Sequence, residues 1–164
     1  MDLFDTIKEA KPKVQANPDG GDIFPRVLIL GCSATKRTGP PMAAIERYDG
    51  PFFRVLRKYR DEGGELPMTL ILSAQAGLIT SSTILHEYDQ KMDEKRAKEI
   101  IYDPFLRNRF RTYMEGAGYN VFCVMGESYR RIILRWMEEH EEIYFAEGGI
   151  GEMQSQLHDW LRTG

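Results

Sequence analysis

Apolar residues arrive in this chain in short continuous runs, and each run breaks into small or polar residues. Val27-Leu28-Ile29-Leu30 gives way to Gly31-Cys32-Ser33-Ala34-Thr35 and then to a cation, Lys36. Met68-Thr69-Leu70-Ile71-Leu72 opens into Ser73-Ala74-Gln75-Ala76-Gly77. The segment YNVFCVM, residues 119–125, turns through Gly126-Glu127-Ser128, and Ile143-Tyr144-Phe145-Ala146 ends in Glu147-Gly148-Gly149-Ile150-Gly151. Continuous rather than alternating runs mark strands buried on both faces.

Helical spacing fills the intervals. A short helical candidate at 42–48 precedes a helix that starts at Pro51 and runs to about Asp61. There Phe52, Val55, Leu56 and Tyr59 share one face and Gly63-Gly64 closes the element. The loop from Ser73 to Met92 is long for a compact domain, and such loops are usually functional. From Asp93 a charge-rich run predicts helix, broken near Asp103-Pro104. Tyr129, Ile132, Ile133, Trp136 and Met137 form the next stripe, and Met153, Leu157, Trp160 and Leu161 the last. Strand, loop and helix recur four times, which predicts an α/β fold: three layers around a mainly parallel central sheet of about four strands. Residues 23–164 read as its single domain. Residues 1–22, broken by Lys11-Pro12 and by Asn17-Pro18-Asp19-Gly20-Gly21, read as an arm lying on it.

Composition narrows the partners. The 164 residues, 42% hydrophobic and 29% charged, suit one globular domain. A net charge of −3 argues against coating nucleic acid by charge alone, yet leaves room for a local patch. Arg107, Arg109, Arg111, Arg130, Arg131 and Arg135 could supply one, although acids interleave with them. No apolar stretch approaches the roughly 18–20 residues that span a bilayer. The N-terminus lacks a secretory pattern, so a reduced, cytoplasmic protein is expected. Cys32 and Cys123 both stand at strand ends, and a bridge between them stays open. His86, His140 and His158 are scattered and no Cys or His spacing matches a zinc site, so neither metal nor cofactor is expected.

In sheets of this kind ligands bind beyond the carboxyl ends of the strands, which makes the four exits the candidate site. Ser33 and Lys36 pair a hydroxyl with a mobile cation suited to a polar or anionic ligand. Cys32 is either a close-packed filler or a thiol activated by Lys36. Ser73, Gln75 and Gly77 would face the same crevice. His86, Glu87, Tyr88 and Asp89 close that long loop, where Asp89 or His86 could activate water. Gly126, Glu127 and Gly149 open the two best-formed glycine turns into helices, suited to phosphate or carboxylate. Neither turn is a dinucleotide or Walker fingerprint.

Taken together, Cys32-Ser33-Ala34-Thr35-Lys36, Tyr48, Pro51-Phe52-Phe53, Leu72-Ser73-Ala74-Gln75-Ala76-Gly77-Leu78 and Tyr88-Asp89 resemble a family of small uncharacterised bacterial, archaeal and phage proteins. The same order of motifs is similar, more distantly, to a domain of archaeosine synthase, whose fold is related to the uracil-DNA glycosylases. The resemblance implies a crevice for a nucleobase, nucleoside or nucleotide, with nucleic acid admitted as a partner. It places Cys32, Ser33 and Lys36 on the base-proximal loop and Ser73, Gly77, Tyr88 and Asp89 on the facing one. Gly31 and Arg37-Thr38-Gly39 depart from the synthase pattern, so the implied common property is the base-binding crevice rather than the transfer chemistry. The expected activity is base modification or N-glycosidic bond chemistry. The alternative is a non-catalytic nucleotide sensor or accessory module.

Overall fold

The computed structural model describes residues 15–16, 22–23, 26–115, 120–139 and 141–163. Most of the expected N-terminal arm, Tyr119 and His140 lie outside the described residues. Of the arm, β1 (Gln15–Ala16) pairs antiparallel with β2 (Asp22–Ile23).

The centre of the molecule is β3 (Val27–Gly31), every residue of which is buried. Parallel to it on one side lies β5 (Met68–Ser73), and on the other β8 (Val121–Val124), followed by β9 (Ile143–Phe145). Register is aligned across the three inner strands, with Ile29 between Leu70 and Cys123. The four expected strands are present and parallel. A fifth, β6 (Gly77–Thr80), runs antiparallel to β5 and forms the sheet edge. These residues fall in the stretch 73–92 expected to be loop. Their four positions follow a tight turn directly, too short for a pattern to register. The same long loop also holds β7 (Ile84–Leu85), which pairs with β4 (Met42–Ala43).

Helices cover both faces. Val27, Ile29, Leu70, Leu72, Val121 and Cys123 point to one face, where they meet α3 (Glu94–Ile101), α4 (Pro104–Glu115) and α5 (Glu127–Trp136) through Ile100, Phe110, Ile132 and Trp136. Leu28, Leu30, Ile71, Phe122 and Val124 point to the other. There α1 (Ala44–Arg47), α2 (Pro51–Asp61) and α6 (Ile150–Arg162) supply Ile45, Phe53, Leu56, Leu157 and Leu161. Adjacent residues of one strand thus bury into opposite layers, which is why the strands are apolar without alternation.

The expected break at Asp103-Pro104 separates α3 from α4. Proline cannot continue the first helix but starts the second, and the Asp103 carboxylate accepts from Phe105 N at 2.9 Å and Leu106 N at 3.3 Å. Cys32 and Cys123 are both free, so the possible bridge is not made. Among the described residues no helix is long and apolar enough to cross a membrane.

Candidate functional site

Strand order decides where the crevice forms. From β3 the chain passes to α1 and α2 on one face, and from the neighbouring β8 to α5 on the opposite face. Connections that leave adjacent parallel strands toward opposite layers part there and leave an opening at the strand ends. A cavity of about 130 Å³ occupies this point. It is lined by Gly31, Cys32, Ser33, Met125 and Gly126, by the aromatic residues Phe52, Phe53 and Tyr129, and by Gly50, Pro51 and Ile150.

Three helices begin around this cavity. Gly50, Gly126 and Gly149 are the N-caps of α2, α5 and α6, and none has a side chain to bond the helix's free N–H groups. Ser33 packs directly on Gly50, where an added Cβ would collide with its hydroxyl. Gly126 and Gly149 differ: φ is −76° at both, and a Cβ would meet nothing within 4 Å. Neither backbone geometry nor internal packing therefore requires glycine at those two positions. The consequence of the missing side chain is open N–H groups beside the crevice.

Next to the cavity a cluster of hydroxyls and one thiol joins β3, β5 and α5. Tyr48 donates to Ser73 Oγ at 3.1 Å, and its oxygen lies 2.5 Å from that of Tyr88. Ser73 Oγ is 3.4 Å from Tyr88 Oη and accepts from Ala76 N at 3.1 Å. Cys32 Sγ is 3.1 Å from Tyr129 Oη and accepts from Ala74 N at 3.4 Å. Burial pushes the phenols of Tyr48, Tyr88 and Tyr129 above the ordinary tyrosine value, and the nearby Cys32 sulfur adds to this. At neutral pH all three are protonated and uncharged.

Arginines hold the surrounding loops by their carbonyls, two of them buried and Arg96 only partly so. Arg47, with no exposed surface, donates to Arg37 O at 2.7 Å, Pro40 O at 2.6 Å and Leu85 O at 3.1 Å. Arg57 reaches Ile45 O, Tyr48 O and the Asp49 carboxylate, and Arg96 binds Ala74 O and Gln75 O in the β5–β6 turn. Guanidinium suits this task because five fixed donors can serve several carbonyls at once.

The structure brings some of the expected site residues together and separates others. Cys32, Ser33 and Gly126 line the cavity. Lys36 is not in the lining; its Nζ is 4.6 Å from the centre of the Tyr88 ring, and it pairs through its backbone with Tyr48. Ser73 is wholly buried in the hydroxyl cluster. Gly77 has φ +77°, and a Cβ there would lie 2.5 Å from Leu106, so the turn itself requires glycine. Gln75, Glu127, His86 and Asp89 are exposed and lie outside the cavity lining. Sequence reasoning did not single out Tyr129, Met125 or Ile150 as site residues. Tyr129 was legible only as part of an apolar helical stripe, because its place at the first turn of α5, over Gly31, is a property of the strand order.

Among the described residues no group of three His, Cys, Asp or Glu is placed to hold a metal ion. No curated protein and no solved structure matches the chain. A family of unknown function, DUF6884, matches residues 27–161. That span takes in all five strands of the main sheet, the crevice and the helices around it, and the chain belongs to this family.

Proposed function

We propose that the crevice binds a nucleobase, free or as part of a nucleoside or nucleic acid, and that the protein acts on the base or its glycosidic bond. The observation that carries this reading is a slot with aromatic walls, Phe52, Phe53 and Tyr129, set where three uncapped helices begin. Planar heterocycles stack on such walls, while the free N–H groups and the Cys32–Tyr129 pair offer hydrogen bonds to ring atoms. The likeness of the Cys32-to-Lys36 and Leu72-to-Leu78 segments to archaeosine synthase supports the same ligand class. Two unpaired cysteines accord with a cytoplasmic setting.

For hydrolysis, Asp89 or His86 would take a proton from water as its oxygen bonds to the sugar carbon. The carbon–nitrogen bond would break and the base would leave with its electron pair, with Lys36 offsetting the developing negative charge. A second reading, a non-catalytic nucleotide sensor or accessory module, has its own support: no ionisable group other than Cys32 and Tyr129 lines the cavity, and His86 and Asp89 stand outside it.

Thermal shift and calorimetry against nucleosides, modified bases and nucleotides should find a ligand whose affinity falls about tenfold or more in Phe52→Ala. Chromatography of the incubated ligand then separates the readings. Product lost in Lys36→Ala or Asp89→Ala supports the enzyme, and tight binding without product supports the sensor. Absence of any nucleobase ligand defeats both.

A further inference from the structure

A second, larger hollow adjoins the base cavity. This hollow, about 520 Å³, shares Gly50 and Pro51 with the cavity and extends along the outer face of α2 past Arg54 and Lys58. The two thus meet at the first turn of α2, and the charged lining of the hollow is Arg54, Lys58 and Asp49. Arg54 and Lys58 stand one helical turn apart, with side chains 65% and 76% exposed.

The cations of the hollow have loose partners. Arg54 meets Asp49 only at 3.3–3.4 Å, and Lys58 meets Glu62 at 3.9 Å, both long for charge-assisted bonds. Asp49 has cationic partners besides Arg54. Arg57, almost fully buried, bonds it at 2.5 Å, and Arg37 stands 3.8 Å away. An anion could take Arg54 and leave Asp49 still paired. Helix α2 carries Arg54, Arg57, Lys58 and Arg60 against a single acid, Asp61, in a chain whose net charge is −3. The helix that provides Phe52 to the cavity thus carries an excess of positive charge.

We infer that the ligand of the crevice carries a phosphate ester, seated between Arg54 and Lys58 in this hollow while its base enters the aromatic cavity across Gly50 and Pro51. The inference rests on the nucleobase reading and adds the ligand class: a nucleotide, or a nucleotide unit of a strand, rather than a bare nucleoside or free base. Guanidinium and ammonium together suit a dianionic or monoanionic phosphate, and the spacing of one turn lets both reach it.

Calorimetry on the full chain tests it, using the four common ribo- and deoxyribonucleosides, their 5′-monophosphates and five-residue single strands at low and high salt. The 5′-monophosphate or the strand should bind about tenfold or more tightly than the matching nucleoside, with the advantage shrinking as salt rises. Arg54→Ala combined with Lys58→Ala should erase that advantage and leave nucleoside affinity unchanged, since both side chains are exposed and neither lines the aromatic cavity. Phe52→Ala should weaken nucleoside and nucleotide alike. A preference for the strand over the mononucleotide, or the reverse, upholds the phosphate seat and identifies its source. Equal binding of nucleoside and phosphate, or an advantage that survives the double variant, overturns the inference while leaving the base site standing. If no nucleoside, nucleotide or strand binds, the nucleobase reading fails and the phosphate seat with it.

Discussion

Ser73 is fully buried, and its hydroxyl links three groups: the phenols of Tyr48 and Tyr88 and the amide of Ala76. Ser73→Ala keeps the shape of the strand end but removes an acceptor from the Tyr48 phenol, which keeps Tyr88 as a partner, and from the Ala76 amide. Losing these bonds costs on the order of 1–3 kcal/mol, about 0.5–1.5 for each. Urea unfolding should show a loss in that range with an unchanged m-value, and a loss near zero would mean that the cluster adds nothing to stability. Ser73 was visible in the sequence as the first polar residue after a strand. Its partners were not, because Tyr48 and Tyr88 are 25 and 15 positions away and meet it only through the folded loops.

Helix starts divide into two kinds. Asp93 caps α3 by accepting from Arg96 N, and Asp103 caps α4, both away from the cavity. By contrast α2, α5 and α6, which begin around the crevice, start at glycine with no side-chain cap. Stability alone would favour a capping residue at Gly126, where φ is ordinary and a Cβ has open space. Gly126→Asp should therefore raise stability by about 0.5 kcal/mol, roughly 1–2 °C in Tm, by satisfying N–H groups and complementing the helix dipole. It should also weaken the crevice ligand by covering those same donors. A stable variant with unchanged ligand affinity would show that the α5 donors are not used. The four parallel strands were readable because each appears as a short apolar run; the three inner ones are buried on both sides, while β9 at the edge is only partly buried, with Tyr144 exposed. The edge strand β6 was not, since Gly77-Leu78-Ile79-Thr80 has neither length nor alternation and owes its state to pairing with Leu70–Ser73.

Titration behaviour belongs to the whole molecule. Tyr48, Tyr88 and Tyr129 have folded pKa values above their unfolded values, chiefly through burial, and burial pushes the Cys123 thiol up as well. A group raised in this way leaves stability intact below its unfolded pKa. Above that pKa the unfolded chain releases the proton and the folded chain keeps it, so stability falls until the folded value is passed. The decline should begin near pH 8.5, where an unfolded thiol ionises, and steepen past about pH 10, each group adding about 1.4 kcal/mol per pH unit. Urea midpoints from pH 7 to 11, followed with tyrosinate absorbance, would check this. Ordinary phenol titration in the folded protein would count against it. Asp49 acts at the opposite end: Arg54 and Arg57 lower its pKa, so its contribution is present above the unfolded value near 3.9 and disappears as pH falls through the lower folded one.

The arginine clamps give the crevice a further property. Arg47, Arg57 and Arg96 hold the segments after β3 and β5 through backbone carbonyls, which remain whatever side chains those segments bear. Residues on these loops can therefore be exchanged without dismantling the frame that presents them. A ligand entering such a frame meets walls already in position and loses little of its binding free energy to ordering them. The frame is thus open to substrate diversification: new specificities can arise by changing the exposed residues at 34–41 and 86–91 while the guanidinium clamps keep the entrance in shape.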